Sequence, residues 1–153
     1  MSIWDFLKQF TGTVERPSSS DIVQDTAITF DEYTQKVIID LRQLNIPFTS
    51  PLKCWVCPIP DTNSMDPVFD YGNYNILIQG GDQYNQQMMV NFLKVGDIAV
   101  YRHPQMYAIH RIVEIGSDKE GRYFRFKGDN NASKDSYKVR DSMVEWLYCG
   151  TIC

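Results

Sequence analysis

The chain has 153 residues, a length that suits one domain, and 19 acidic against 15 basic residues give it a formal net charge of −4. This acidic balance argues against a general nucleic-acid-binding protein, and 43% hydrophobic with 22% charged residues is the composition of a globular protein. The longest apolar runs are four residues, far short of a membrane-spanning helix, and Asp5, Lys8 and Gln9 interrupt any secretory signal. We therefore expect a soluble, cytoplasmic domain without a transmembrane segment.

The first fifty residues are predicted to be a helical segment and a linker, ahead of a domain spanning residues 51–153. Residues 2–10 have the spacing of a short amphipathic helix, which either docks on a membrane or partner or packs on its own domain. Residues 15–21 have the composition of a polar linker.

A second helix is predicted to begin at residue 29, because Thr29 and Glu32 have the spacing of a capping box. It is predicted to end near Asn45 and Pro47. Four side chains recur at helical spacing and are predicted to lie in the core: Tyr33, Val37, Leu41 and Leu44.

The rest of the chain has the pattern of strands separated by Gly, Asn, Asp and Pro clusters. The predicted strands span residues 53–57, 75–79, 97–102, 107–115, 122–127 and 144–152. Residues 80–91 are polar and are predicted to be a loop or insertion. The sequence therefore predicts a mainly β fold, a mostly antiparallel sheet or partly open barrel with one or two N-terminal helices.

Four cysteines allow two interpretations. Cys54 and Cys57, together with Cys149 and Cys153, would hold zinc if both pairs met in space. In a strand, however, residues 54 and 57 project to opposite faces, and the alternative is reduced thiols packed as small hydrophobic residues. The predicted chemistry below uses no metal and no organic cofactor.

Three short stretches contain the parts of a nucleophile, base and orienting set. Ser64 lies in a turn-rich segment, His110 in a predicted strand, and Asp129 in a Gly-Asp-Asn-Asn stretch that is followed by Asp135. A neutral imidazole can take the proton of a serine hydroxyl near neutral pH, and a carboxylate can orient the imidazole. Taken singly, each residue is better explained by a turn or a satisfied hydrogen bond than by catalysis.

Together, these stretches resemble the conserved boxes of the signal peptidase and LexA-like serine peptidase superfamily. The boxes are Ser64-Met65-x-Pro67, a Gly-Asp strand at 95–102, Ile-His-Arg-Ile-Val at 109–113 and Lys-Gly-Asp-Asn-Asn at 127–131. The match covers roughly residues 53–152. Because His110 stands where other branches have lysine, the chain resembles the histidine-containing archaeal and endoplasmic-reticulum branch. Asp135 lies six residues after Asp129, as in that branch.

The chain also departs from this pattern. Thr62 and Asn63 stand where the family has a glycine before the serine, so the oxyanion donors are predicted to be the Ser64 N–H and the Asn63 side chain. Asn63 and Met65 are therefore candidate oxyanion or substrate-positioning residues. No helix-turn-helix segment precedes the boxes, which argues against a LexA-type repressor.

The resemblance implies a soluble serine endopeptidase with Ser64 as nucleophile, His110 as general base and Asp129 or Asp135 orienting the histidine. Its partner would be an extended peptide, bound as an added strand with small residues in its pockets. Two alternatives remain: a catalytically inactive binding or assembly module on the same fold, and a self-processing maturation component encoded by a phage or mobile element.

Overall fold

The computed structural model describes residues 28–31, 33–34, 36–40, 51–104 and 106–152. The predicted helix at 2–10 and the predicted linker at 15–21 lie outside the described residues. The predicted boundary near residue 50 also falls outside them, so the division into two parts stays a prediction.

The helix predicted from Thr29 is wrong, because its described residues form a β-hairpin. Strands β1 (Ile28–Asp31) and β2 (Lys36–Ile39) pair antiparallel, and the Asp31 side chain accepts hydrogen bonds from the N–H groups of Tyr33 and Thr34 in the turn. Such a bond lets an aspartate stabilise a turn where a helix would continue. Tyr33, predicted to be core, is 97% exposed, whereas Leu41 and Leu44 lie outside the described residues.

Seven further strands of the described residues form one antiparallel sheet, and all six predicted strands are among them. The strands are β3 (Leu52–Pro58), β4 (Tyr74–Gly80), β5 (Ile98–His103), β6 (Met106–Asp118), β7 (Gly121–Lys127), β8 (Val139–Arg140) and β9 (Val144–Ile152). Their order across the sheet is β3-β4-β9-β5-β6-β7-β8. The mainly β prediction is confirmed, but β3 and β8 are the two edges of this sheet, which does not close into a barrel.

The segment predicted to be a loop at residues 80–91 contains a helix, α1 (Gln83–Phe92). Asp82 caps it by accepting a hydrogen bond from the Asn85 N–H. The Gln86 side chain accepts from the Gly80 N–H and donates to the Val144 carbonyl, which fastens the helix to β4 and β9. The loop prediction was wrong because polar hydrogen bonds hold this helix in place, whereas a helix is recognised in a sequence by the spacing of its apolar residues.

Apolar side chains alternate along the strands and form a core on each face of the sheet. The first core lies on the face covered by α1 and includes Ile76, Ile78, Met89, Val90, Ala99, Tyr101, Ile112, Phe124, Phe126 and Leu147. The second core lies on the opposite face and includes Ile59, Met65, Phe69, Leu77, Ile98, Val100 and Tyr148. The segment between β3 and β4 packs on this second core, and it carries Ser64.

None of the helices in the described part of the chain has the length and apolar character needed to cross a membrane.

Candidate active site

Ser64, His110 and Asp135 form a continuous chain of polar contacts. The Ser64 Oγ lies 3.3 Å from Nε2 of His110, and Nδ1 of the same ring lies 2.8 Å from Oδ2 of Asp135. The histidine and aspartate side chains are only 13% and 12% exposed. Because a carboxylate only accepts hydrogen bonds, Nδ1–H donates to Asp135, and Nε2 is left to accept from the serine hydroxyl.

A buried tyrosine of the first core, Tyr101, supports Asp135, and the partly buried Tyr137 contacts Tyr101 in turn. The Tyr101 hydroxyl donates to Oδ2 of Asp135 at 2.7 Å and lies 2.9 Å from the Tyr137 hydroxyl. Burial, reinforced by the hydrogen bond to Asp135, raises the pKa of Tyr101 far above its ordinary value, so the phenol stays protonated and remains a donor. Oδ2 of Asp135, which contacts His110, is therefore also held in place by Tyr101.

Asp129, the other candidate for orienting His110, contacts a different residue. Its carboxylate accepts from Nε and Nη2 of Arg111 at 2.9 Å and 2.7 Å, and Nη1 of Arg111 donates to the Gly96 carbonyl. Both charged side chains are almost fully buried. Asp129 thus anchors the loop after β7 to β6, and the structure gives the position beside His110 to Asp135.

The serine segment is fastened to this same loop. The Ser64 carbonyl accepts from the Asn130 N–H at 3.0 Å, and the Asn130 side chain donates to the Asn63 carbonyl at 3.0 Å. A Cβ placed on Gly128 would lie 2.6 Å from the Ser64 carbonyl oxygen, so only glycine permits this approach. The two segments, whose contacting residues Asn63 and Asn130 are 67 positions apart in sequence, are thereby held in fixed register.

Asn63 accounts for the absent glycine before the serine. Its φ is 54°, in the left-handed region that glycine adopts most readily and that asparagine tolerates better than most residues. Asparagine thus adopts at this position a backbone conformation that is open to glycine and closed to most other residues. The Asn63 side chain is exposed, and its predicted role as an oxyanion donor stays a prediction.

The Met65 side chain is buried in the second core, so a direct role for it in substrate positioning is not supported. Several residues at the site carry no signal in the sequence. The Oγ1 of Thr62, which the sequence marks only as a replacement for glycine, lies 3.4 Å from the Ser64 Oγ. The sequence assigns no role to Tyr101, Tyr137 or Arg111, because no pattern separates a packed tyrosine or arginine from one that supports a site.

The unpaired edge of β6 begins next to His110. Residues 106–111 of β6 pair with β5, whereas pairing with β7 begins only at Arg111, which lies opposite Lys127. On the β7 side, residues 106–110 therefore have no strand partner within the described parts of the chain. Such an edge presents backbone donors and acceptors to an added strand.

The cysteines do not assemble into a metal site in the part of the chain that is described. Within it, no group of three or more His, Cys, Asp or Glu side chains is placed to hold a metal ion. Cys57 packs against the second core on one face, whereas Cys54 lies near Cys149 of the first core. Cys153 lies outside the described residues.

A serine hydroxyl, an imidazole and a carboxylate in one hydrogen-bonded chain form the side-chain set of serine hydrolases. A comparison of sequences points toward the same class: Signal peptidase I W from Bacillus subtilis (strain 168) is 33% identical to this chain over 90 residues. These residues are 58% of this chain and 44% of that protein, so the chain spans less than half the length of the relative it matches. No protein-family model and no solved structure matches the chain.

The chain is thus distantly similar to a signal peptidase, which supports a peptidase-like function at the level of the family. The assignment to the histidine-containing branch stays a prediction.

Proposed function

We propose that this protein is a serine endopeptidase of the signal-peptidase type. Ser64 is the nucleophile, His110 the general base and Asp135 the residue that orients His110. The observation that carries the proposal is the chain of contacts from Ser64 Oγ through both ring nitrogens of His110 to Asp135, at 3.3 Å and 2.8 Å. Two hydrogen bonds fix the His110 ring between Ser64 and Asp135. A serine that only stabilises a turn, or a histidine that only packs in a core, does not need this arrangement.

In the proposed reaction, His110 Nε2 takes the hydroxyl proton as Ser64 Oγ attacks the scissile carbonyl. The same nitrogen then protonates the leaving amine, and water hydrolyses the acyl-enzyme. Asp135 stabilises the imidazolium form of His110. The negative oxygen would be bound by the Ser64 N–H, for which no described residue provides an acceptor, and by the hydroxyl of Thr62.

The proposed substrate is an extended peptide that adds to the unpaired edge of β6. Residues 106–110 would hydrogen-bond its backbone, and the added strand would end near Ser64 because His110 lies at the end of that edge. The proposed chemistry uses groups of the chain itself and water, without a metal or an organic cofactor. A cytoplasmic location is part of the same proposal.

The test compares wild-type protein with Ser64→Ala, His110→Ala and Asp135→Asn on a library of quenched fluorescent peptides. We expect Ser64→Ala and His110→Ala to lower kcat/KM by at least about 10³-fold, since each removes a group that takes part in the chemical step. Ser117→Ala is the matched control, because Ser117 is an exposed serine at the far end of β6. Undiminished cleavage by Ser64→Ala would exclude this mechanism.

The same experiment separates the alternatives. The intact mass of wild-type protein after long incubation shows whether the chain cleaves itself, and Ser64→Ala should then stay intact. If wild-type protein cleaves neither a peptide nor itself, the inactive binding module is favoured.

A further inference from the structure

The chain of contacts that begins at Ser64 continues past Asp135 into the first core. The Tyr101 hydroxyl lies 2.7 Å from Oδ2 of Asp135 and 2.9 Å from the Tyr137 hydroxyl. A phenol has one proton to donate, and an ionised carboxylate only accepts. The Tyr101 proton is therefore directed to Asp135, so the Tyr137 hydroxyl is the donor in its contact with Tyr101.

The hydrogen bond from Tyr137 acts on the bond that Tyr101 makes with Asp135. A hydroxyl that accepts a hydrogen bond is polarised and donates more strongly. Because Tyr101 is 0% exposed, bulk water cannot take the place of the Tyr137 hydroxyl. The oxygen that Tyr101 contacts, Oδ2 of Asp135, is also the oxygen that contacts Nδ1 of His110. Tyr137 thus acts on the position of the imidazole through two intervening side chains.

The ring of Tyr137 is held by two side chains of β5. Its centroid lies 4.2 Å from that of the His103 ring, with 34° between the planes, and 5.9 Å from that of the Tyr101 ring in an edge-to-face arrangement. Such ring pairs are favourable beyond the area that they bury. His103 is the last residue of β5, two positions after Tyr101, so both side chains project to the same face of the sheet. Tyr137 therefore contacts β5 through its hydroxyl at Tyr101 and across its ring at His103.

One short segment brings both partners to the Tyr101 hydroxyl. Asp135 supplies the acceptor, and Tyr137, two residues further on, supplies the donor. The segment is bound to β7, because the Asp135 N–H donates to the Phe126 carbonyl at 2.9 Å. A shift of this segment therefore alters both hydrogen bonds of the Tyr101 hydroxyl at once.

We propose that Tyr137 and His103 are positioning residues of the site: Tyr137 holds the Tyr101 hydroxyl on Asp135, and the His103 ring holds Tyr137. This inference rests on the proposed peptidase function, in which His110 must stay aligned with Ser64. It extends the support of the catalytic histidine to the end of β5 and gives the second histidine of the chain a role.

The first readout is the His110 ring itself rather than activity. The chain has two histidines, so histidine labelled with a heavy nitrogen isotope gives two sets of ring signals, and His103→Phe identifies those of His110. The Nδ1–H of His110 exchanges with water only when its bond to Asp135 opens. Tyr137→Phe keeps the ring and removes the donor. We expect it to make this exchange about two- to tenfold faster, the range that the loss of one hydrogen bond accounts for.

His103 is tested by the side chain that replaces it. His103→Ala removes the stacked ring and should speed the exchange as Tyr137→Phe does, whereas His103→Phe keeps an aromatic ring and should leave the rate near that of wild type. On a cleaved peptide, Tyr137→Phe and His103→Ala should lower kcat by about two- to tenfold with KM unchanged. Tyr84→Phe is the matched control, because Tyr84 is 72% exposed on α1. The free energy of unfolding is measured for every variant.

The outcomes distinguish this inference from the proposed function. Exchange at the wild-type rate in Tyr137→Phe overturns the positioning role of Tyr137, even if wild-type protein cleaves peptides by Ser64. Fast exchange in His103→Phe, equal to that in His103→Ala, overturns the role of the His103 ring. Faster exchange in Tyr137→Phe and His103→Ala alone, with no cleavage by wild-type protein, supports the positioning of His110 while the peptidase proposal fails.

Discussion

Asp135 accepts a hydrogen bond from the hydroxyl of Tyr101, a residue that is fully buried. Oδ2 of Asp135 accepts from both Tyr101 and His110, so removal of the phenolic O–H would leave this oxygen free to shift relative to the imidazole. Burial keeps Tyr101 protonated, and its donor role does not change over the working pH range. In the proposed mechanism, Tyr101 is thus a positioning residue that acts on Ser64 through Asp135 and His110.

Tyr101→Phe should lower kcat by about 10- to 100-fold and leave KM little changed, because a small displacement of a catalytic group costs rate more than binding. The measurement is steady-state kinetics on a cleaved peptide, with the free energy of unfolding determined in parallel. Tyr123→Phe is the control, because its hydroxyl contacts Glu114 away from the site. A rise in KM alone, or kinetics equal to wild type, would contradict the positioning role.

The loop after β7 acts as an element that sets the position of Ser64. Its backbone donates to the Ser64 carbonyl through Asn130, and Gly128 approaches the same carbonyl too closely for any side chain. The ion pair between Arg111 and Asp129 ties the loop to β6. Ser64 and His110, the proposed nucleophile and base, are therefore connected through one short loop as well as through their own hydrogen bond.

Gly128→Ala should reduce activity by about 100-fold or more, because the added Cβ forces the Ser64 carbonyl or the Asn131 side chain to move. Gly150→Ala is the matched control, since nothing lies within 4 Å of a Cβ at that position of β9. Activity and melting temperature are measured for both variants. Full activity in Gly128→Ala would show that the loop does not fix the serine.

Six of the strands, β3 to β7 and β9, could be predicted from the sequence, whereas β1, β2, β8 and the contacts between elements could not. Alternating apolar residues indicate strands β3 to β7 and β9, because a strand has a period of two residues whichever strands it pairs with. Asp129 and Asp135 could not be separated, since their roles depend on tertiary geometry: the Asp135 N–H donates to the Phe126 carbonyl, which returns the chain to β7 beside His110. The Thr29–Glu32 pattern failed because Asp31 stabilises a turn instead.

Over the whole molecule, the burial of each cysteine indicates how well the sheet and its core exclude solvent at that position. Cys54 is exposed on the edge strand, whereas Cys149 is buried in the first core on central strand β9. Burial, with a smaller contribution from Cys54, raises the pKa of the Cys149 thiol to about 12. The reactive thiolate of Cys149 is thus disfavoured as long as the sheet stays intact.

In variants that retain a single cysteine, Cys54 should react with a disulfide reagent at pH 8 at least about 100-fold faster than Cys149. Denaturant should bring the two rates together, because unfolding exposes both thiols equally. The measurement is the absorbance of the released thiol over time. Equal rates in the native protein would mean that the first core opens far more readily than its packing indicates.

The central place of β9 has a consequence for when the site can form. Residues 144–152 are made after every other strand of the sheet, yet they lie between β4 and β5 and supply the hydrogen bonds that join them. During synthesis, the strands next to Ser64 and the strands that hold His110 consequently have no strand pairing between them until β9 arrives. A nascent chain would then carry Ser64, His110 and Asp135 before the sheet that positions them is complete, so the proposed peptide-bond cleavage would be delayed until translation has passed β9.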